Sequence, residues 1–547
     1  MCTVFSIGVE SDSPFHPNYD VWPWGTACLL RPICSFPVQS TIANVFRSFL
    51  AFIIGLFTLK RLLTAFYDLF LSPLHYIPGP WYAAISELWM TTHIFRGVPF
   101  QAVDALFLKY GPIVRIGPNR VAFIDAQAVK TVYGVKFNKG QMYKAFLTND
   151  GDHAMSLLDH TSHAAQKRLF APHHTQANLV LFQPDIHSYT MEAVKVRLDQ
   201  IAGSASVDCI MFFKQLTVDL NVYQQFGLRI DAVQKWNLDE EDVICTAITD
   251  FPKRVVLRNI TGRLFPLVSK LPNRWIKRVC DSDRVLANLV RSCMQDNKSL
   301  AAKLPSDDDQ TKMNLLTRML QVRRGPNNER LSDDILISES MGQLIAGSET
   351  VSVLMAFMCW ELAHQPEIAK KLRVEVDAAM PDRHIIPDIQ QLQELPYLTA
   401  FIKEGFRIYD PVPALLDRVV PSQTKTPFTL LGYKLPAGTT VATQAYSSHR
   451  IPSIFPLPNT FITERWLADK ETPAMIAQLM PFGAGTRICA GQNLAQMVLR
   501  IVITSIVRRF PVQAGDGTDE ETMQIRGGFA IFPKNHKCLL RFLQRDV

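Results

Sequence analysis

"PFGAGTRICAGQNLAQMVL", residues Pro481 to Leu499, places one cysteine, Cys489, between glycine turns and the start of an apolar helix. The chain has ten cysteines, and one that merely packs needs neither the glycines nor the helix. A cysteine held as an anion gains from both. Unpaired N–H groups and the dipole at a helix N-terminus favour negative charge, which lowers a thiol pKa. Gly483, Gly485 and Gly491 let the backbone turn sharply and bring a flat group close with no side chain in between. Phe482 is positioned to shield one side of the sulfur. Arg487, two residues before the cysteine, is positioned to pair with a carboxylate on such a group.

The rest of the chain sets the context. It has 547 residues, 48% hydrophobic and 20% charged, enough for a substantial core and too apolar for bulk disorder. Net charge is +7, and the basic residues are scattered rather than blocked. That excludes a nucleic-acid footprint and suits an anionic membrane or an acidic protein partner. No CxxC or CxxCH occurs, which argues against a zinc ribbon and against covalently attached haem. Irregularly spaced cysteines in a large chain read as reduced, mostly buried thiols in the cytosol.

Residues 1–41 read as an irregular leader broken by Pro14, Pro17, Pro23, Pro32 and Pro37. Residues 42–71, "IANVFRSFLAFIIGLFTLKRLLTAFYDLFL", carry charge only at Arg47, Lys60, Arg61 and Asp68. Their uncharged core, Ser48 to Leu59, is short of the roughly 20 residues of an upright span, and snorkelling of Arg47 extends it. The run reads as a membrane anchor, with a buried helix and a signal peptide as competing readings. Lys60-Arg61 on its C-terminal side would leave the remainder of the chain in the cytosol. Pro73, Pro78 and Pro80 then stiffen a hinge, and residues 72–547 form the body. Within it, "IVRIGPNRVAFID" from Ile113 predicts a hairpin turning at Gly117-Pro118-Asn119, and "GYKLPAGTTVATQAY" from Gly432 predicts a second. "SDDDQ" from Ser306 and "DGTDEE" from Asp516 read as polar loops. Most of the remainder reads as long amphipathic helices.

Three further stretches carry chemistry. "LSDDILISESMGQLIAGSETVSVLMAFMCWELAHQPE", from Leu331, predicts a helix of about 33 residues, roughly 50 Å long. Ser332 caps it, Asp333 and Asp334 fill its first turn, and Pro366 ends it. In its middle, Ala346 and Gly347 open space over a flat cofactor, and Glu349 and Thr350 can hold water. Alone, it is equally a buried helix with a few satisfied polar groups. "LPYLTAFIKEGFRIYDPVPALLDRVV", from Leu395, predicts a helix begun by Pro396 and stopped by Pro411 and Pro413. Glu404 and Arg407 share one of its faces, an arrangement that is usually a surface ion pair. "SHAAQKRLF", from Ser162, sets His163 and Lys167 on one helix face, with a solvated basic face as the plain alternative.

The pattern Phe482-Gly483-x-Gly485-x-Arg487-x-Cys489-x-Gly491 resembles the haem-binding signature of the cytochrome P-450 superfamily, the haem-thiolate monooxygenases. The resemblance covers the body from about Ile77 to the end, with every landmark in family order, and is closest in style to microsomal members from filamentous fungi. It implies a mainly α fold with a small β-rich lobe, tethered by one N-terminal helix to the endoplasmic reticulum membrane, with the body cytosolic. It implies haem b with Cys489 as the axial thiolate, held in a loop that includes Phe482, Gly485, Arg487 and Gly491. Ala346 to Thr350 resembles the oxygen-activation motif, in which the acid–alcohol pair Glu349 and Thr350 delivers protons. Val351 departs from it, where many relatives have a second threonine. Glu404-x-x-Arg407 matches the family's buried pair, completed by Arg465 from "FITERWL". Arg418 stands where relatives contact a haem propionate. His163-x-x-x-Lys167 stands where many have W/H-x-x-x-R, Lys keeping the charge but losing the bidentate fork.

The function so implied is monooxygenation of a lipophilic small molecule, with electrons from NADPH through a separate flavoprotein reductase and none fused to this chain. Lys167, Arg168 and Arg500 are candidate contacts for that acidic partner. By family topology the substrate pocket draws on Met142 to Leu157, the Ile345 region, Pro413 to Leu416, and Gly528 to Ile531, all largely apolar. A terpenoid, polyketide or alkaloid intermediate of secondary metabolism suits them better than a sugar or peptide. Two alternatives stay open: a P-450-fold isomerase or dehydratase needing no reductase, and a non-catalytic haem carrier or sensor. The intact Thr350 counts against the first.

Overall fold

The computed structural model describes residues 38–236, 242–303, 312–324, 328–422 and 427–545. Most of the leader and the polar loop from Ser306 lie outside the described residues. The chain divides into two units at Leu63/Thr64. The first is essentially helix α1, Val38–Phe66, which begins four residues ahead of the apolar run read from the sequence. Its 29 residues span roughly 43 Å at 1.5 Å each, more than the ~30 Å hydrocarbon core of a bilayer. Phe46, Phe52, Phe57 and Leu62 are 57–65% exposed on all its sides, and the apolar window within Asn44–Leu71 has none of its surface buried. An all-round apolar helix that buries nothing is a candidate membrane anchor.

The second unit begins with the end of α1 and a wider turn, Tyr67–Leu71, in which Asp68 is buried. Its carbonyl accepts from Nη1 of buried Arg115 at 2.6 Å, while Arg115 Nη2 donates to the Pro118 carbonyl at 2.6 Å. The helices that build the site are α2 (His160–Phe170), α3 (Cys209–Phe226), α4 (Val243–Thr261), α5 (Arg274–Lys303), α6 (Asp333–His364), α7 (Pro396–Ile408) and α8 (Gln492–Arg509). Their starts are set by side-chain caps. Asp159 accepts from Ser162 N at 2.7 Å, Asp242 from Ile244 N at 2.7 Å, and Ser332 from Ile335 N at 3.4 Å. Gly227, at φ +71°, ends α3. The α6 helix is apolar enough to cross a membrane, but two thirds of that window is buried in the body. Phe357 and Met358 of α6 share a core with Leu216 of α3, Phe401 and Ile402 of α7, and Val502 and Ile503 of α8.

The main sheet comprises β1 (Ile113–Gly117), β2 (Arg120–Phe123), β3 (Asn138–Lys139), β4 (Arg418–Val419) and β5 (Thr440–Ala442), in the order β1–β2–β5–β4–β3. The β1–β2 hairpin is as read from the sequence. The second hairpin is not. Tyr433–Leu435 pairs backward with Phe428–Leu430, and β5 crosses into the main sheet, parallel to β2 and antiparallel to β4. The tight turn is Leu431-Gly432, both at positive φ, the geometry a two-residue hairpin demands. Two smaller assemblies flank the core: the hairpin Ile525–Gly527/Ile531–Pro533, and a three-stranded sheet of Val512–Ala514, Leu539–Phe542 and Val207–Asp208.

Candidate active site

Cys489 lies between the short turn Gly485–Arg487 and the first turn of α8, and its N–H donates to the Phe482 carbonyl at 2.9 Å. Gly485 sits at φ +68°, pressed so closely on the Tyr133 carbonyl that no Cβ could fit. Among the seven described cysteines, Cys489 alone is exposed, and five are buried. The sulfur is nonetheless closely surrounded by protein. Burial pushes its pKa up, while the Gly491 N–H and Lys167 pull it down. The helix end acts as expected on the sulfur, but burial outweighs it. Phe482 packs edge-on against Phe406, ring centroids 4.9 Å apart.

The middle of α6 carries the second group of candidate residues. Ala346 is the exposed residue in the middle of α6, between buried and half-buried neighbours, and the Thr350 hydroxyl donates back to the Ala346 carbonyl at 2.7 Å without breaking the helix. Gly347 does not open that space. A Cβ there would lie 2.6 Å from Asn221 Oδ1 of α3, so this glycine serves the close approach of α3 to α6. Glu349 also turns toward α3, its Oε1 3.7 Å from Lys214 Nζ, and that lysine donates to Thr249 Oγ1 of α4 at 2.7 Å. Glu349 and Thr350 are adjacent in sequence, but the lysine draws the acid to the α3 side.

A cluster of cations gathers on the sheet side of the Cys489 loop. Arg418 Nη1 donates to the Asp417 carbonyl at 2.8 Å, and its guanidinium lies 4.6 Å from the centre of the Tyr133 ring. Arg487 donates to the carbonyls of Leu158 at 2.8 Å, and of Leu157 and Phe137 at 3.3 Å. Lys167 Nζ donates to the Ile488 carbonyl at 2.7 Å. Lys139, which no motif marks, is Cα partner to Arg418 across β3–β4 and donates to the carbonyls of Ala154 and Met155 at 2.9 and 2.7 Å. The carboxylate of Asp417 points instead at Arg120, 2.6 Å away.

These cations crowd one another. Burial and then Arg418 lower Arg487 to about 10. Burial, with Arg487 and Arg418, holds Lys139 well below the usual lysine range. Burial, Lys139, Arg487 and Lys167 lower His163 to about 3, so this imidazole is neutral. Arg487 Nε is buried with no partner. Packed cations whose hydrogen bonds go to neutral carbonyls, with a spare buried donor, fit a flat cofactor bearing its own carboxylates, as haem does. Arg168 is exposed, but Arg500 is buried and folds onto Gln496 at 3.3 Å. Only the first of these two can meet a partner at the surface.

Glu404 and Arg407 are fully buried and joined by two bonds of 2.7 and 2.8 Å. Arg465 Nε reaches Glu404 at 3.2 Å, and the Trp466 indole N–H donates to its other oxygen at 2.7 Å. Arg407 also donates to the carbonyls of His449, Pro458 and Thr460.

A family model described as cytochrome P450 matches residues 76–540. The chain is similar to the cytochrome P450 monooxygenase orf2 of Aspergillus niger, 29% identical over 495 residues that cover 88% of this chain and 95% of that protein. It is 28% identical to the cytochrome P450 monooxygenase tazI of Aspergillus terreus, over 88% of this chain and 96% of that one. It is 27% identical to the benzoate 4-monooxygenase bphA of Aspergillus niger, over 84% and 90% of the two chains.

Proposed function

The chain belongs to the cytochrome P450 family, and from that premise we propose that it is a haem-thiolate monooxygenase of a lipophilic small molecule in fungal secondary metabolism. One observation carries the site reading: the Cys489 thiol lies in the turn before a helix, beside crowded cations whose hydrogen bonds go to neutral carbonyls. Haem held there supplies reductive activation of dioxygen, one atom entering the substrate and the other leaving as water.

In this reading the Cys489 thiolate would hold the haem iron, and the loop through Phe482, Gly485 and Gly491 would keep the sulfur approachable. Arg487, Arg418, Lys139 and Lys167 take the cofactor's carboxylates, and neutral His163 adds a donor without adding charge. Thr350 holds a proton at its hydroxyl beside Ala346. Glu349, tethered at Lys214, can pass a proton toward it through water. Glu404, Arg407 and Arg465 fix the wall on the thiol side. Electrons would come from NADPH through a separate flavoprotein reductase, with exposed Arg168 as a basic landing point. The α1 helix would anchor the chain once in the endoplasmic reticulum membrane, Lys60-Arg61 favouring a cytosolic body from Ser72 onward.

The test is the spectrum of the reduced carbon-monoxide complex. The haem-loaded protein should show the red-shifted Soret band of a thiolate ligand, and Cys489→Ala should abolish it. A variant that keeps that band would remove Cys489 from the site.

A further inference from the structure

Two phenylalanines from distant parts of the chain meet beside the exposed step of α6. Phe146 and Phe529 stand with ring centroids 4.8 Å apart and planes tilted by 59°. Both rings are half-buried. Phe146 shares an apolar cluster with Phe251 and Val255 of α4 and with Ile345, the residue before Ala346. Its position is fixed by the segment Leu147 to Ala154. Thr148 and Ser338 of α6 exchange hydroxyl-to-carbonyl hydrogen bonds at 2.9 Å in both directions. His153 Nε2 holds the Phe146 carbonyl at 2.8 Å, and the same ring lies so close to Gly342 that any Cβ there would collide with it. The Ala154 N–H donates to Glu339 at 2.9 Å. The segment is thus bolted to residues 338, 339 and 342 of α6, within about two turns of Ala346. Phe529 comes from the turn of the hairpin Ile525–Gly527/Ile531–Pro533, whose Gly527 and Ile531 N–H groups are held by the carbonyls of Gly97 and Pro411, each at 3.0 Å.

Charge around this pair is already committed. Lys144 pairs with Asp152 at 2.7 Å and Asp150 with Arg258 at 3.7 Å. Arg254 donates to the Leu147 carbonyl at 2.9 Å and faces Asp283 at 3.6 Å. Burial keeps His153 neutral. Two tilted rings offer a flat guest a π-face and an edge at once, and no side chain of this segment is left to neutralise an acid.

We propose that Phe146 and Phe529 form an aromatic clamp that selects uncharged, planar aromatic substrates over saturated or anionic ones of equal size. The proposal rests on the haem-thiolate reading, because the clamp acts on whatever lies over that cofactor. Binding can be read without turnover through the Soret shift that an imidazole nitrogen causes on ligating the iron. The probes are 1-phenylimidazole, 1-cyclohexylimidazole and 4-(imidazol-1-yl)benzoate, with imidazole as the common anchor. Cyclohexyl is the more hydrophobic ring, so plain apolar burial predicts that it binds more tightly.

With the clamp, the wild-type holoprotein should bind the phenyl probe about tenfold more tightly than the cyclohexyl probe, and the benzoate weakest of the three. Phe146→Leu and Phe529→Leu keep the apolar bulk and should bring the phenyl preference below about twofold. Their carbon-monoxide spectra show whether the haem site is intact. A wild type that prefers cyclohexyl, variants that keep the full phenyl preference, or a benzoate that binds as tightly as the phenyl probe would each overturn the clamp. If imidazole itself gave no shift, the haem-thiolate reading would fall, an outcome distinct from any of these.

Discussion

Lys139 and Arg418 are direct cross-strand partners on β3 and β4, two cations facing each other in a body where Arg487 crowds both. Like charges placed opposite each other in a sheet cost about 0.2–1 kcal/mol. Such an arrangement is tolerated where an anion is to be gripped between them.

Replacing Lys139→Met should therefore separate two properties. The haem-free protein should become slightly more thermostable, because the repulsion is gone. The loaded protein should lose haem about tenfold faster to an excess of apomyoglobin, because one charged hydrogen bond, worth about 1.5–3 kcal/mol, is lost. Unchanged haem loss would mean that the lysine serves only the segment it holds at Ala154 and Met155.

Thr350→Ala removes the hydroxyl beside Ala346 and leaves haem contacts untouched. NADPH consumption should persist in the reconstituted system while product per NADPH falls severalfold and peroxide rises. Val351 has no hydroxyl to substitute. Equal ratios in wild type and variant would take Thr350 out of proton delivery, and full turnover without any electron donor would exclude monooxygenation itself.

Glu404 is the acceptor for four donors: Arg407, Arg465, Trp466 and the Ile462 N–H. Removing its charge strands two guanidinium groups in the core, which costs about 3–5 kcal/mol. Glu404→Gln should lower the urea midpoint accordingly or prevent haem incorporation. A change below about 1 kcal/mol would make the pair dispensable, as exposed pairs usually are.

His449 gives the protein an acid limit. Its Nε2 accepts from the Met480 N–H at 2.9 Å, which requires the neutral ring, and burial with Arg450 and Arg407 lowers it to about 3. The unfolded chain then binds a proton that the folded chain refuses between pH ~6.5 and ~3. Stability contributed here is complete above pH ~6.5 and falls by about 1.4 kcal/mol per pH unit below it. Buried Asp410, raised to about 8, acts with the opposite sign between its unfolded pKa and 8. The comparison is therefore wild type against His449→Gln. The difference in their urea midpoints should shrink as pH drops from 7 to 5, and a constant difference would exclude the histidine as its source.

The features legible in the sequence are those that depend on near neighbours. The Cys489 loop, the Ser332 cap, the hairpin at Gly117 and the Glu404–Arg407 spacing are all set within a few residues, so composition and period reveal them. Lys139 is unremarkable in "FNKGQ" and gains its role only when β3 meets β4. Gly347 reads as a companion to Ala346, but one residue along a helix is about 100° of rotation, and that turn hands it to Asn221. The Pro436 to Gly438 stretch resembles a hairpin turn, while the less conspicuous Leu431-Gly432 supplies the real one. Arg500 reads as surface by its charge, yet Leu499 and Ile501 beside it are fully buried.

Arg115 makes the approach from the anchor part of the body's foundation. Its side chain is 3% exposed, and it donates to the Asp68 carbonyl while the carbonyls of Gly117 and Pro118 accept from its other nitrogens. A grafting point for exchanging membrane helices between relatives thus belongs upstream of Thr64, where the recipient keeps Asp68. Hybrids joined at Ser72 keep a backbone carbonyl at position 68 but lose the Asp68 carboxylate 3.9 Å from Arg115, and bodies trimmed to begin at Ser72 lose both. Such bodies would come out soluble but loosened at the edge of the sheet that carries Lys139 and Arg418.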